Sequence, residues 1–161
     1  MLDITLIEQD SRWQSEAFTE ACITNIVDIV LSEVLGRTDA CIELSIVLTD
    51  DKTIAEMNKN FRHKNNATNV LSFIQYSSLE EIRDECKESN EINLGDIIFA
   101  FDTISEEAKQ QNKLLQHHLK HLLIHGVLHL LGFDHIDDGD AELMAGLEIK
   151  ALASIGIENP Y

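Results

Sequence analysis

This chain predicts an α+β (mixed α/β) fold: a small sheet of about four strands packed against helices, with a metal site on a buried helix. Two observations carry the fold. Short apolar runs suited to strands alternate with segments whose apolar residues recur at helical spacing. The run Leu122-Leu123-Ile124, Gly126-Val127-Leu128, Leu130-Leu131 is apolar nearly all round, which puts one helix in the core. A third observation, histidines at a metal-binding spacing along that same helix, gives the core helix a chemical task.

Ile4 to Glu8 alternates as a short strand. Ser15 to Leu35 carries Phe18, Ala21, Cys22, Val27, Val30, Leu31 and Val34 on one stripe, an amphipathic helix ending near Gly36. Cys41 to Thr49 alternates Ile42, Leu44, Ile46 and Leu48, a second strand. Asp50 and Asp51 open a helix through Met57 to about Asn60. Residues 61–69 are polar and loop-like, and Val70 to Gln75 reads as a strand. Ser77 to Asn90 is acidic and reads as an exposed excursion without a function. Gly95 to Ala100 is a buried strand. Thr103-Ile104-Ser105-Glu106 has the form of a capping box opening a helix toward Asn112. A further helix begins near Lys113 and carries His125 and His129, and Asp137 or Asp138 caps a last one ending at about Ser154.

With 161 residues the chain suits a single domain, 1–161, long enough for one sizeable core. The opening Met1-Leu2-Asp3-Ile4-Thr5 lacks a basic flank and a long apolar run, so no signal peptide is expected, and no stretch has the apolar length of a membrane span. Cys22, Cys41 and Cys86 are odd in number and share no C-x-x-C pattern, which fits a reducing cytoplasm. A net charge of −17 repels phosphate backbones and weighs against nucleic-acid binding. Yet Met57 to Leu79 holds no acid in a chain with 29 of them, and it contains Lys59, Arg62, His63 and Lys64. That strip is either a local positive site on a negative body or a solvated loop.

Six of the seven histidines fall between positions 117 and 135, too tight a grouping for scattered core histidines. His125, His129 and His135 form H-x3-H-x5-H. On a helix the first two stand one turn apart on one face. Gly132 can end that helix in a left-handed turn that folds His135 back to the same point. Three neutral nitrogens and one open position make a catalytic zinc site, one Zn2+ per chain. Nickel or copper would also bind such a set, so zinc follows from geometry and availability. His121 lies one turn earlier on the stripe, as a further ligand or as a partner to one, whereas His117 and His118 read as an exposed helix edge. The spacing is shared with metzincin proteases, but their catalytic Glu follows the first His, and here Gly126 stands there without a proton-accepting group.

The stretch His125–His135 resembles the signature of the YbeY family, bacterial single-strand-specific endoribonucleases that mature ribosomal RNA. Phe61-Arg62-His63-Lys64 with Thr68-Asn69-Val70-Leu71-Ser72-Phe73 resembles that family's arginine-bearing loop and following strand. Leu94 to Ile98 resembles its central strand, and Ile155 to Tyr161 its closing segment. The resemblance implies zinc on His125, His129 and His135, a catalytically important Arg62, and action on the 3′ end of small-subunit rRNA and in ribosome quality control. It implies single-stranded pre-rRNA and the small ribosomal subunit with its proteins as partners, with no DNA and no membrane. One departure stands out: where the family usually has Pro-Thr-Asp, this chain has Ala67-Thr68-Asn69, which loosens the loop and removes a charge.

The residues suit that chemistry. Zinc acidifies bound water and polarises a phosphoryl oxygen, and the planar fork of Arg62 matches a phosphate oxygen pair. Lys59, His63 and Lys64 are candidate backbone contacts, while Phe61 and Phe73 are either stacking platforms or core. Asp134 is the nearest acid to the motif, as base or as orienter of His135. The nucleophile is water or the substrate's own 2′-hydroxyl. Met144 lies under the metal or simply in the core. Two other functions compete: a ribosome-assembly factor whose metal is structural, and a metallopeptidase.

Overall fold

Four strands and six helices alternate along the chain, as a computed structural model that describes residues 1–62 and 68–161, without the side chains of Ser15, Phe61 and Arg62. The strands are β1 (Leu2–Glu8), β2 (Cys41–Thr49), β3 (Val70–Ile74) and β4 (Glu91–Ala100). The helices are α1 (Glu20–Leu35), α2 (Asp51–Arg62), α3 (Leu79–Glu88), α4 (Phe101–Gln110), α5 (Leu115–Leu130) and α6 (Asp138–Ser154). The sheet order is β1-β2-β4-β3, with β1, β2 and β4 parallel and β3 antiparallel to β4. The fold is the expected mixed α/β one.

Parallel strands are buried on both faces and read as apolar runs. In β4, Ile92, Leu94, Ile97, Ile98 and Phe99 are all buried. In β2 the alternation survives, with Ile42, Leu44, Ile46 and Leu48 buried between half-buried neighbours. The larger core lies between the sheet and helices α1, α5 and α6, where Ile23, Val27 and Val30 of α1 join Leu119, Leu123 and Val127 of α5. A second, smaller cluster gathers Ile54 of α2 against Leu71, Ile98 and Ala100. Met144 is buried in the larger core, as a packing methionine.

Three expectations are corrected. The segment Ser77 to Asn90 is no plain excursion but contains α3, capped by Ser78 and anchored by fully buried Ile82. Arg83 ties it to α1 by donating to the Val34 carbonyl at 2.9 Å. The first helix starts at Glu20, not Ser15, after a 3-10 turn over Ser11–Ser15 that sinks Trp13 into the core. Thr103 does not open α4, which begins at Phe101; its amide is instead capped from α2, by the Asp51 carboxylate at 2.9 Å.

Helix α5 is the element that positions the site. Gly126 lets it lie directly on the sheet: a Cβ there would meet Ile97 Cγ2 at 3.0 Å and Ser72 Oγ at 3.5 Å. The position that bears the metzincin glutamate is therefore tightly packed against β3 and β4, and a side chain there would press on Ile97.

Candidate metal centre and its cleft

Histidines 118, 121, 125 and 129 recur at intervals of three and four, so α5 sends them out along one stripe. That stripe lines a cleft of about 800 Å³. The opposite wall is part of the acid-free strip, with Thr68, Asn69, Val70, Ser72 and Ser77 all lining it.

The turn after α5 brings the third imidazole. Gly132 sits at φ 97°, its amide donating to the His129 carbonyl at 3.0 Å, while Phe133 N reaches the Leu128 carbonyl at 3.0 Å. This is the left-handed helix ending the sequence implies. The His135 ring then lies 5.5 Å from that of His125, nearly parallel, and 5.1 Å from that of His129, edge-on. His125, His129 and His135 each offer a ring nitrogen within 4.8 Å of the others.

Hydrogen bonds set the tautomers. His129 Nδ1 lies 3.1 Å from the Phe133 carbonyl oxygen, which only accepts, so the proton resides on Nδ1. His125 Nδ1 likewise faces Glu148 Oε2 at 3.3 Å. Both Nε2 atoms are then bare lone pairs, and they stand 3.0 Å apart. Two acceptors that close repel unless a cation lies between them. Zn–N bonds of about 2.0–2.1 Å at a tetrahedral angle put neighbouring ligands roughly 3.3 Å apart, close to this separation. The donor set fits a metal ion. Burial, reinforced by neighbouring His125 and His135, lowers the pKa of His129 and keeps its ring in the neutral, ligating form.

Asp134 spends one carboxylate oxygen on the His135 amide, at 2.7 Å, and lies 3.9 Å from that ring at the cleft edge. Arg62 is the last residue of α2, and its side chain lies outside the described residues, as do His63, Lys64 and Ala67. Lys59 is exposed on α2 and is not among the described residues that line the cleft.

The sequence reading missed a set of polar residues around the stripe. Glu148 of α6 is 1% exposed and accepts from His121, His125 and the Tyr161 hydroxyl. Burial opposes its charge, yet these three hydrogen bonds outweigh burial and bring its pKa down to about 2. Burial and the same carboxylate push the Tyr161 hydroxyl up. His118, expected at an exposed edge, is buried against Glu107 at 3.0 Å, and its neighbour His117 is half-buried. A signal for Glu148 exists: it sits midway between Met144 and Leu152, at four-residue steps on the buried face of α6.

Fold and cluster together define the class: a mixed α/β protein whose core helix and the turn after it bring three imidazoles together in an open cleft. The chain belongs to the Endoribonuclease YbeY family, whose model matches residues 5–156. Relatives named Endoribonuclease YbeY include one from Sinorhizobium fredii, 38% identical over 99% of this chain and 92% of its own length. Another, from Zymomonas mobilis, is 41% identical over 95% of this chain and 86% of its own length. A third, from Paramagnetospirillum magneticum, is 47% identical over 76% of this chain and 73% of its own length. The solution structure of TM1509 from Thermotoga maritima shares the fold, with a TM-score of 0.57 at 20% identity, over 96% of this chain and 91% of that one. Among the described residues no helix is long and apolar enough to cross a membrane.

Proposed function

We propose that the chain is a zinc-dependent endoribonuclease that cleaves single-stranded RNA, with His125, His129 and His135 holding one Zn2+. The observation that supports it best is the pair of Nε2 atoms 3.0 Å apart in a cleft, each on a ring whose Nδ1 faces an acceptor, in a member of an endoribonuclease family. The bound ion supplies Lewis acidity toward a phosphoryl oxygen and acidifies water.

The chain's own residues do the rest. His129, oriented by the Phe133 carbonyl, and His125, oriented by Glu148, keep their Nε2 atoms turned to one point. Arg62 serves as the phosphate fork, with Lys59, His63 and Lys64 as backbone contacts. The segment from Thr68 to Ser77 brings no carboxylate of its own to the path of an anionic strand, and Glu107 and Glu81, which meet it, are engaged by Asn69 and Ser77, which eases the objection raised by the net charge of −17. Asp134, half-exposed beside His135 at the cleft edge, serves in this reading as the proton acceptor. The cellular role that fits is maturation of the small-subunit rRNA 3′ end and ribosome quality control in the cytoplasm, in contact with the small ribosomal subunit and its proteins. The peptidase alternative has no base at position 126, where Gly126 packs tightly against Ile97.

The experiment is cleavage of a single-stranded RNA copying the 3′ precursor of small-subunit rRNA. Wild type is compared with Arg62→Ala and His129→Ala, with and without chelator, and the new ends are mapped. Activity abolished by chelator and by both substitutions supports the reading. A cyclic phosphate end identifies the 2′-hydroxyl as nucleophile, and a linear phosphate or 3′-hydroxyl identifies water. Intact RNA with folded, zinc-loaded wild type would turn the reading toward an assembly factor.

A further inference from the structure

We propose that Glu148 is a positioning residue for the metal centre: its buried carboxylate holds His125 in the ligating tautomer and is itself held in place by His121 and Tyr161. The inference rests on the metal reading above and extends it to three residues outside the histidine motif.

Glu148 is 1% exposed, on the face of α6 that also buries Met144 and Leu152. An apolar residue would fill that position without the penalty of burying an ionised group. Among the described residues its ion-pair partners are two histidines, His121 and His125, with no lysine or arginine. A divalent cation on the far side of the His125 ring supplies the missing positive charge.

Glu148 Oε2 faces His125 Nδ1 at 3.3 Å, and the opposite ring nitrogen, Nε2, is the one that faces His129 at 3.0 Å. A carboxylate on one imidazole nitrogen fixes the tautomer and raises the basicity of the other. The other carboxylate oxygen, Oε1, is occupied by His121 Nε2 at 2.5 Å and by the Tyr161 hydroxyl at 2.7 Å. Those two bonds stop the carboxylate from turning away from His125. Tyr161 also meets His121 edge-on, with ring centroids 5.5 Å apart, so α5, α6 and the closing segment converge on one group.

The three candidate ligands are therefore oriented by different means. His129 relies on a backbone carbonyl of its own turn and His125 on Glu148, whereas His135, the most exposed of the three, has among the described residues Asp134 at 3.9 Å. Losing Glu148 should loosen one ligand without touching the other two.

The test is zinc affinity of the full chain, read by graded chelator competition from the zinc-loaded protein. Wild type is compared with Glu148→Gln, Tyr161→Phe and His129→Ala, with circular dichroism as the control for folding. Glu148→Gln is expected to fold and to bind zinc roughly 10–100-fold more weakly. Tyr161→Phe, which removes one donor at an exposed position, should lose less than Glu148→Gln. Nitrogen NMR of the metal-free proteins should show the neutral His125 ring protonated only at Nδ1 in wild type and mixed in Glu148→Gln, a change that a packing role would not produce. Unchanged zinc affinity in Glu148→Gln overturns the proposal. If that variant does not fold, wild-type affinity in Tyr161→Phe together with a His125 proton on Nε2 in wild type overturns it instead. If wild type binds zinc no better than His129→Ala, the metal reading itself fails, which is a distinct result.

Discussion

Asn69 and Glu107 are joined across one wall of the cleft: the amide Nδ2 donates to both carboxylate oxygens, at 3.0 and 3.3 Å. The amide's own oxygen accepts from Val70 N at 2.7 Å, so its orientation is fixed and the start of β3 is pinned to α4. Glu107 also receives His118 Nε2 at 3.0 Å. The chain thus uses an Asn where the resemblance has an Asp, and the neighbouring Glu107 gives that Asn a partner an Asp would repel.

Asn69→Asp is accordingly expected to destabilise the protein. It replaces a donor by a second carboxylate against the first, and two carboxylates at this distance do not both ionise cheaply. The loss should be about 1–3 kcal/mol at pH 8 by urea denaturation. It should shrink at pH 5, because a shared proton restores a hydrogen bond between the two groups. An equal loss at both pH values would contradict this account.

His118 sets a second pH dependence. Burial lowers its pKa below the ordinary imidazole value, although Glu107 pulls the other way. A histidine with a depressed folded pKa resists protonation that the unfolded chain accepts. Stability is therefore unaffected well above pH 6.5 and falls as the pH drops through that value, until the folded-state pKa is passed. His118→Gln removes this proton and should flatten the pH dependence of the urea midpoint below about pH 6.5 relative to wild type. A steeper curve in the variant would show that Glu107 has the upper hand.

Gly132 is required twice over. Its φ of 97° disfavours any side chain, and a Cβ would meet the Leu79 amide nitrogen at 2.8 Å. Backbone on a neighbouring helix has little freedom to move aside. Gly132→Ala should cost roughly 2–4 kcal/mol in thermal or urea unfolding. It should also weaken zinc binding, because the turn that carries His135 shifts. Full zinc affinity in a destabilised Gly132→Ala would mean that His135 finds its place independently of the turn.

Much of this was legible in the residues. The histidine spacing, with Gly132, predicts a cluster that the fold brings together, because the helix and its ending are local geometry. The sheet follows from alternation in β2 and from the apolar run of β4. What was not legible is whatever depends on a distant partner. Thr103-x-x-Glu106 has a capping-box pattern, but Asp51 of α2 caps the Thr103 amide and α4 begins two residues earlier. The same pattern at Ser78-x-x-Glu81 does start a helix: Ser78 Oγ accepts the Glu81 amide at 3.1 Å. The acidic exterior of α3 hides Ile82, the fully buried residue that, with Leu79 and Cys86 packed beside it, makes α3 part of the core. Glu148 and Tyr161 escape a linear reading because their meeting point exists only after α5, α6 and the last residues have packed.

Helix α3 supplies the last prediction. Its first turn lies against the turn that carries His135, with Ser78 and Leu79 backbone atoms nearest to Gly132. Its anchor is Ile82, fully buried in the main core. If the acidic segment were a solvated excursion, truncating Ile82 would leave stability within about 0.5 kcal/mol of wild type. As a core element it should cost about 2–5 kcal/mol in Ile82→Ala. The exposed Glu80→Ala, on the same turn, should stay within about 0.5 kcal/mol. Hydrogen exchange should then show the Ile82 variant opening first at α3 and at residues 131–135 together, because removing the anchor frees the backbone that holds the turn in place. Opening of α3 alone, with the turn still protected, would uncouple the acidic segment from the site.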